Sequence, residues 1–346
     1  MPPTDAPLPI DEVLADLRAA LADASRAVLE APPGAGKTTR VPLALRDAPW
    51  LAGRGIVMLE PRRLATRAAA AWMARSLGES PGETVGYRVR HDRRVGPRTR
   101  VEVVTEGILA RMLEDDPALE RYGLVIFDEF HERSLHADLG LALTLESQQV
   151  LRPDLRVLVM SATLDGVGVA RLLGNCPVVR SVGRAFPVTL RHAAPPPGLD
   201  FEAGVAATVR QALAETEGDV LVFLPGAGEI GRVERQMVGW ADGRMGEGER
   251  QGGSGHLITC LPLHGSLPPA AQDAVLRPDP LGRRKVILAT SIAETSLTID
   301  GVRVVVDGGR SRVPRFSART GMTRLATVRV SRAAAAQRAG RAGRQA

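Results

Sequence analysis

Short, almost continuously apolar runs recur along the chain, each ended by Gly, Pro or charged residues. In the first half they cover residues 27–31, 55–60, 100–105, 124–127 and 155–160. Their lack of polar alternation predicts strands buried on both faces. Residues 11–22, 63–77 and 107–113 carry apolar side chains at helical spacing instead. A second series of strands, 219–224, 257–263, 285–290 and 302–307, follows with helices between. Strands alternating with helices predict an α/β fold whose mostly parallel sheets are covered on both sides and joined by right-handed crossovers.

Two stretches interrupt this rhythm. The run Ala193-Ala194-Pro195-Pro196-Pro197-Gly198 can continue neither a helix nor a central strand. A domain boundary is therefore placed near residue 182, giving domains 1–182 and 183–346. Residues 239–255 are polar and rich in Gly, which predicts a surface loop. Farther on, 312–317 and 322–330 flank Ala318-Arg319-Thr320-Gly321, the pattern of a β-hairpin closed by a Gly-containing turn.

Composition changes the picture in four places. With aromatic residues at 3%, the cores must be built from Val, Leu, Ile and Ala. The formal charge of +6 suits a polyanionic partner, although an Arg-rich solvated surface accounts for it equally. Two cysteines, Cys176 and Cys260, without metal-ligand spacing argue against a disulfide framework or a zinc site and suit a reducing cytoplasm. No signal pattern or membrane-length apolar run is visible. Only Lys37 and Lys285 among the 45 basic residues are lysine. A compact ammonium differs from a forked guanidinium in size and hydration, which marks both positions as chemically constrained.

Lys37 lies in Pro32-Pro33-Gly34-Ala35-Gly36-Lys37-Thr38-Thr39, directly after the strand 27–31. Strand, Gly-rich loop and helix start form a phosphate-binding loop. Gly34 and Gly36 let the backbone N–H groups curl toward an anion, and the helix adds its positive N-terminus. In this reading Gly34, Ala35, Gly36, Lys37, Thr38 and Thr39 bind the phosphates of ATP, and the Thr38 hydroxyl ligates Mg²⁺. The strand 124–127 runs into Asp128-Glu129, placing two carboxylates where α/β sheets hold ligands. Asp128 is suited to hold Mg²⁺, and Glu129 to orient and deprotonate an attacking water. Gln337-Arg338-Ala339-Gly340-Arg341-Ala342-Gly343-Arg344 spaces arginines three apart, which is expected to bring several guanidiniums to one surface. By itself this could be a basic RNA-binding patch. Beside a phosphate-binding loop, it reads as arginine fingers that neutralise charge on the transferring phosphoryl group.

These motifs together resemble superfamily 2 helicases of the DEAH-box group. The resemblance is carried by Asp128-Glu129-Phe130-His131-Glu132-Arg133-Ser134, Ser161-Ala162-Thr163 and residues 337–344. Pro61-Arg62-Arg63, Thr105-Glu106-Gly107, Leu263-His264-Gly265 and the run 289–299 agree in the same order. Phe130, where most members have Ala, is most similar to the bacterial HrpB helicases. The resemblance implies two tandem RecA-like (P-loop NTPase) domains, ATP-binding at 1–182 and helicase C-terminal at 183–346, hydrolysing ATP in the cleft between them. It gives Glu129, Gln337, Arg341 and Arg344 catalytic roles, and makes Gln337 and His131 links between the lobes. Ser161 and Thr163 are implied to couple hydrolysis to movement. Arg62, Thr105, Ser291 and Thr295 stand where members grip the nucleic-acid backbone, with Ser291 replacing the usual Asn. A hairpin at 312–330 is implied to help separate strands.

The implied partner is single-stranded or partly duplex nucleic acid, RNA before DNA, although backbone contacts cannot distinguish the two. A cytoplasmic monomer is expected. Full members continue beyond the position of Arg344, so the chain is expected to represent the motor portion, with weak, salt-sensitive binding and little unwinding. Three readings follow: an ATP-driven helicase or translocase, an RNA-stimulated ATPase that remodels ribonucleoprotein without unwinding, and a non-catalytic nucleic-acid-binding module. The intact phosphate, acid and arginine motifs argue against the third.

Overall fold

The computed structural model describes residues 7–162, 166–182, 186–193, 198–248, 258–294 and 299–344. Two compact units emerge, Met1–Arg184 and Ala185–Ala346. Both are α/β with mostly parallel sheets, and each is a RecA-like lobe. Among the described residues, no helix is long and apolar enough to cross a membrane.

The first unit contains α1 (Leu14–Asp23), β1 (Arg26–Glu30), α2 (Lys37–Leu45), β2 (Gly55–Leu59), α3 (Arg63–Ser76), β3 (Val85–Val89), β4 (Asp92–Arg94) and β5 (Val101–Val104). It continues with α4 (Glu106–Asp115), β6 (Tyr122–Phe127), α5 (Leu135–Val150), β7 (Arg156–Ser161), α6 (Gly166–Leu172) and β8 (Val178–Arg180). The strands form one sheet in the order β4-β3-β5-β2-β6-β7-β1-β8. Every pairing is parallel except β3 with β4.

Strand periodicity divides the apolar side chains between two cores. Leu29, Met58, Ile126 and Met160 pack on one face with Leu17, Leu45 and Met73 from α1, α2 and α3. Val28, Val57, Val125 and Val157 pack on the other with Leu109, Leu141 and Ala170 from α4, α5 and α6. Each such Val, Leu or Ile contributes about 1.5–3 kcal/mol when fully buried. This two-sided burial explains the continuous apolar runs and fixes the sheet in the middle of the unit. β3 and β4 were not anticipated, because Arg88, Arg93 and Arg94 break the apolar pattern at that edge. Gly86 permits the pairing: a Cβ there would lie 2.5 Å from the Arg94 carbonyl oxygen. The helix expected over 11–22 opens instead with a 3-10 turn, Pro9–Val13, and becomes regular at Leu14.

The second unit contains α7 (Phe201–Glu215), β9 (Asp219–Phe223), α8 (Ala227–Gly248), β10 (Ile258–Leu263), α9 (Pro269–Leu276), β11 (Arg284–Ala289), β12 (Val302–Asp307), β13 (Arg310–Ser317), β14 (Met322–Arg329) and α10 (Arg332–Ala339). Its parallel sheet runs β10-β11-β9-β12. The antiparallel pair β13–β14 closes through Ala318–Gly321, with Gly321 at φ +63°. The surface loop expected over 239–255 is corrected in part: 239–248 continue α8, and 249–257 lie outside the described residues. Ile230, Val233 and Met237 anchor that helix on the core at helical spacing, which outweighs the local Gly content.

Lys285 finds its constraint here. Its side chain is 2% exposed. Nζ donates to the Val275 and Arg277 carbonyl oxygens at 3.3 and 3.1 Å and lies 3.4 Å from Asp219 Oδ2. One ammonium thus satisfies the carbonyl end of α9 and a carboxylate of β9. A guanidinium is larger and carries its donors in a planar fork, which suits this three-way contact less well. Lys285→Arg is expected to destabilise the second unit by about 1–3 kcal/mol through overpacking. Thermal unfolding checks this, and an unchanged Tm would show that the pocket yields.

Candidate nucleotide site

β1 delivers the chain into Pro32-Pro33-Gly34-Ala35-Gly36, and α2 begins at Lys37. Gly34 and Gly36 have φ of +85° and +94°, a region that L side chains rarely enter. Gly36 is also restricted by space, since a Cβ would lie 2.6 Å from Leu8 Cδ1. The Ile10 N–H donates to the Ala35 carbonyl at 3.2 Å, so the turn before α1 holds the loop from below. Thr39 closes the first turn, its N–H donating to the Gly36 carbonyl at 3.2 Å.

β6 ends beside this loop. Thr38 Oγ1 donates to Asp128 Oδ2 at 2.5 Å, and Lys37 Nζ to Glu129 Oε1 at 3.0 Å. Asp128 Oδ1 accepts the Glu129 N–H at 2.8 Å. Lys37, Asp128 and Glu129 are all buried. Glu129 has φ +49°, an uncommon conformation for a non-glycine residue that turns the chain sharply at the end of the strand. Phe130 anchors the turn: it is buried, with its ring edge-on to Phe127 at 6.3 Å and 80°. This contact explains a large apolar residue between two polar ones.

His131 lies with Nδ1 3.4 Å from Glu129 Oε2, and the same atom accepts the Ala162 N–H at 3.3 Å. Burial lowers its pKa below the ordinary value, against the pull of Glu129. An Nδ1 that accepts a backbone N–H leaves Nε2 as the protonated nitrogen in the neutral form of the ring. The ring thus sits between the Ala162 N–H after β7 and the Glu129 carboxylate. Ser161 is buried next to it, and its carbonyl accepts the Ala31 N–H at 3.0 Å where β1 leaves the sheet.

The oxygens of Thr38 and Asp128 test the fit of Mg²⁺. Burial raises the Asp128 pKa and the Glu129 charge raises it further, while Lys37 and the Thr38 hydrogen bond oppose the shift. A buried carboxylate whose charge is disfavoured gains most from a hard cation beside it. Mg²⁺ takes few protein oxygens and fills its octahedron with water and phosphate, so this pair is sufficient. No group of three or more His, Cys, Asp or Glu residues suited to a metal occurs among the described residues.

At the C-terminal ends of neighbouring strands stand Arg62 and Thr105, the extended residues immediately before α3 and α4. Arg62 Nη2 lies 3.1 Å from Glu132 Oε2. Ser134 Oγ donates to Glu106 Oε1 at 2.7 Å and accepts the Ala137 N–H at 3.0 Å, capping α5. In the second unit, Ser291 opens the turn Ser291–Ala293 after β11. Thr163, Thr295 and the side chain of Arg344 lie outside the described residues.

The expectation that the arginines of 337–344 share one surface is corrected. Gln337 is half-buried on α10, but the adjacent Arg338 points inward and is 1% exposed. Arg338 Nη1 reaches Asp307 Oδ1 at 2.7 Å and Nη2 reaches Glu294 Oε2 at 3.3 Å, with the guanidinium 4.8 Å from the Phe223 ring centre. Arg341 is 5% exposed and donates from Nε to the Glu294 carbonyl at 2.9 Å. The helix ends at Ala339 and a 3-10 turn, Ala342–Arg344, follows; Arg338 and Arg341 are both buried against Glu294 instead of standing on an open surface. The first unit thus gathers Lys37, Thr38, Asp128, Glu129, His131 and Ser161, while Arg338 has a structural place that spacing did not reveal.

The chain matches the family model of the DEAD/DEAH box helicases over residues 15–172 and that of the helicase conserved C-terminal domain over 205–346. It is 51% identical over 337 residues to the ATP-dependent RNA helicase HrpB of Escherichia coli, covering 97% of this chain and 40% of that protein. Identity to the ATP-dependent RNA helicase HrpA of Borreliella burgdorferi is 32% over 345 residues, covering 98% and 40%. A crystal structure of the E. coli DEAH/RHA helicase HrpB aligns with a TM-score of 0.86 at 50% identity, over 97% of this chain and 41% of that one. A second, of the E. coli DExH-box NTPase HrpB, aligns at 0.80 with 50% identity, over 99% and 40%. The chain spans about two fifths of the length of these relatives.

Proposed function

The chain belongs to the DEAD/DEAH box helicases, of the DEAH-box type, and from that premise we propose that it hydrolyses ATP to move along and unwind nucleic acid, RNA in particular. One observation carries this reading: Thr38 and His131 converge on the buried Lys37, Asp128 and Glu129 at the ends of β1 and β6. A phosphate tail entering over Gly34–Gly36 meets backbone N–H groups and the N-terminus of α2. Lys37 follows the charge of the β- and γ-phosphates, and Gly34, Ala35, Gly36, Thr38 and Thr39 complete the cradle. Mg²⁺, when bound through Thr38 and Asp128, neutralises phosphate oxygens. Glu129 takes the proton of the attacking water, positioned with the help of Gln337, and Arg341 and Arg344 stabilise the transferring charge.

Movement is assigned to the segment around Ser161 and Thr163, because Ser161 and Ala162 touch both the start of the phosphate loop and His131. Arg62, Thr105, Ser291 and Thr295 are assigned to the nucleic-acid backbone. In this reading residues 1–182 are the ATP-binding domain and 183–346 the helicase C-terminal domain, acting in the cytoplasm as a monomer. Its test is steady-state hydrolysis with and without single-stranded RNA or DNA, beside a strand-displacement assay on a partly duplex substrate. RNA is expected to raise hydrolysis by about tenfold, a barrier change of about 1.4 kcal/mol. Hydrolysis indifferent to every nucleic acid sinks the motor reading. Stimulated hydrolysis with measurable strand displacement supports unwinding, whereas stimulated hydrolysis alone is shared by a remodelling ATPase and a motor portion that unwinds little.

A further inference from the structure

Glu132 lies three residues beyond the general-base candidate. Its N–H donates to the Glu129 carbonyl at 2.9 Å, so both residues ride on the same tight turn. Its side chain leaves that turn toward Arg62 and meets it through one oxygen, Oε2, at 3.1 Å. The other oxygen, Oε1, is buried and has no hydrogen-bond partner among the described residues. The two side chains are 25% and 19% exposed. A single-contact, partly solvated pair is far weaker than a forked two-contact one. It is therefore the kind of pair that an incoming anion can exchange.

We propose that Glu132 holds Arg62 in reserve for a nucleic-acid phosphate, and that this exchange links the arrival of the strand to the turn carrying Glu129. The proposal rests on the reading of Arg62 as a backbone contact. Geometry supports it in two ways. The pair joins the end of β2 to the end of β6, two neighbouring strands whose loops are assigned to different tasks. Glu132 also acts electrostatically on His131, the ring held by Ala162. When a phosphate takes Arg62, Glu132 loses its countercharge at a point one turn from Glu129.

The exchange has a signature in salt dependence. A phosphate contact made by an arginine with no countercharge releases one set of counterions and adds about 0.7 to the slope of log affinity against log salt for a single strand. An arginine surrendered by Glu132 adds less, because the carboxylate recruits a cation as the phosphate sheds one. Binding of a fluorescent single-stranded RNA across a salt series therefore tests the proposal in the parent, Glu132→Gln, Glu132→Asp, Arg62→Ala and the Glu132→Gln/Arg62→Ala pair. Glu132→Gln is expected to tighten binding roughly two- to fivefold at low salt and steepen the slope by up to about 0.7. Glu132→Asp keeps the charge and the parent slope, so a change shared by both variants marks a folding effect and counts against the exchange. Both gains should vanish in the Arg62→Ala background. An equal gain there, or none from Glu132→Gln while Arg62→Ala weakens binding, overturns the exchange alone. Unchanged binding by Arg62→Ala overturns the Arg62 reading and the exchange with it.

Discussion

Glu129→Gln is expected to cut ATP hydrolysis by about 10²–10⁴-fold while leaving ATP bound, and Lys37→Ala to lose both. The two residues touch each other at 3.0 Å in a buried site, yet the substitutions act on different partners. An amide at 129 can still accept from Lys37, so the phosphate loop keeps its shape, but it cannot take a proton from water. Alanine at 37 removes the ammonium that meets the phosphates. It also leaves Glu129 without its countercharge at 5% exposure. Breaking a buried pair from one side costs about 3–5 kcal/mol, so Lys37→Ala should lower the Tm of the first unit as well. Equilibrium binding of a fluorescent ATP analogue, steady-state hydrolysis and thermal unfolding separate these effects. A Glu129→Gln protein that hydrolyses ATP at the parent rate would remove the general-base assignment.

Much of the fold could be read from the chain because its strands are buried on both faces. Residues 124–127, buried within the strand Tyr122–Phe127, form a continuously apolar run that announces itself. β3 and β4 stayed hidden for the opposite reason. They lie at an edge, where Arg88, Arg93 and Arg94 can reach solvent or acidic partners and no alternation is imposed. The continuation of α8 through Gly248 was hidden by its glycines, since local propensity is a weak guide once a helix is anchored by Ile230, Val233 and Met237.

The site divides in the same way. Gly34, Gly36, Lys37, Thr38, Asp128 and Glu129 could be located because phosphate chemistry demands those residue types next to strand ends. Glu132, Ser134 and Glu106 belong to local networks whose partners lie 70 and 28 residues away in sequence, and no spacing rule pairs them. The two lysines carried a legible signal. In a chain that otherwise uses arginine, each ammonium has a place where size matters, Lys37 against Glu129 and Lys285 under the end of α9.

Arg338, Arg341 and Arg344 look equivalent in the sequence, but their replacement by alanine should give two different outcomes. Arg338 is 1% exposed between Asp307 and Glu294 and over the Phe223 ring. Its removal takes a countercharge from both carboxylates at the junction of β12, α10 and the turn after β11. The expected cost is about 3–5 kcal/mol, a large part of the stability of a unit this size. Arg338→Ala should therefore unfold the second unit at markedly lower denaturant, and lose hydrolysis only as a consequence. Arg341 donates from Nε to the Glu294 backbone carbonyl rather than to its carboxylate, and the loss of one such bond costs about 1 kcal/mol. Arg341→Ala and Arg344→Ala should stay folded and bind ATP, yet lose about 10³–10⁵ in rate if they meet the transferring phosphoryl group. Glu294 gives the contrast a physical basis, since its carboxylate holds Arg338 while its carbonyl holds Arg341. Urea unfolding and hydrolysis, measured on all three variants, decide the matter. Folded Arg341→Ala and Arg344→Ala proteins with near-parent rates would show that the repeat serves the architecture of the second unit alone.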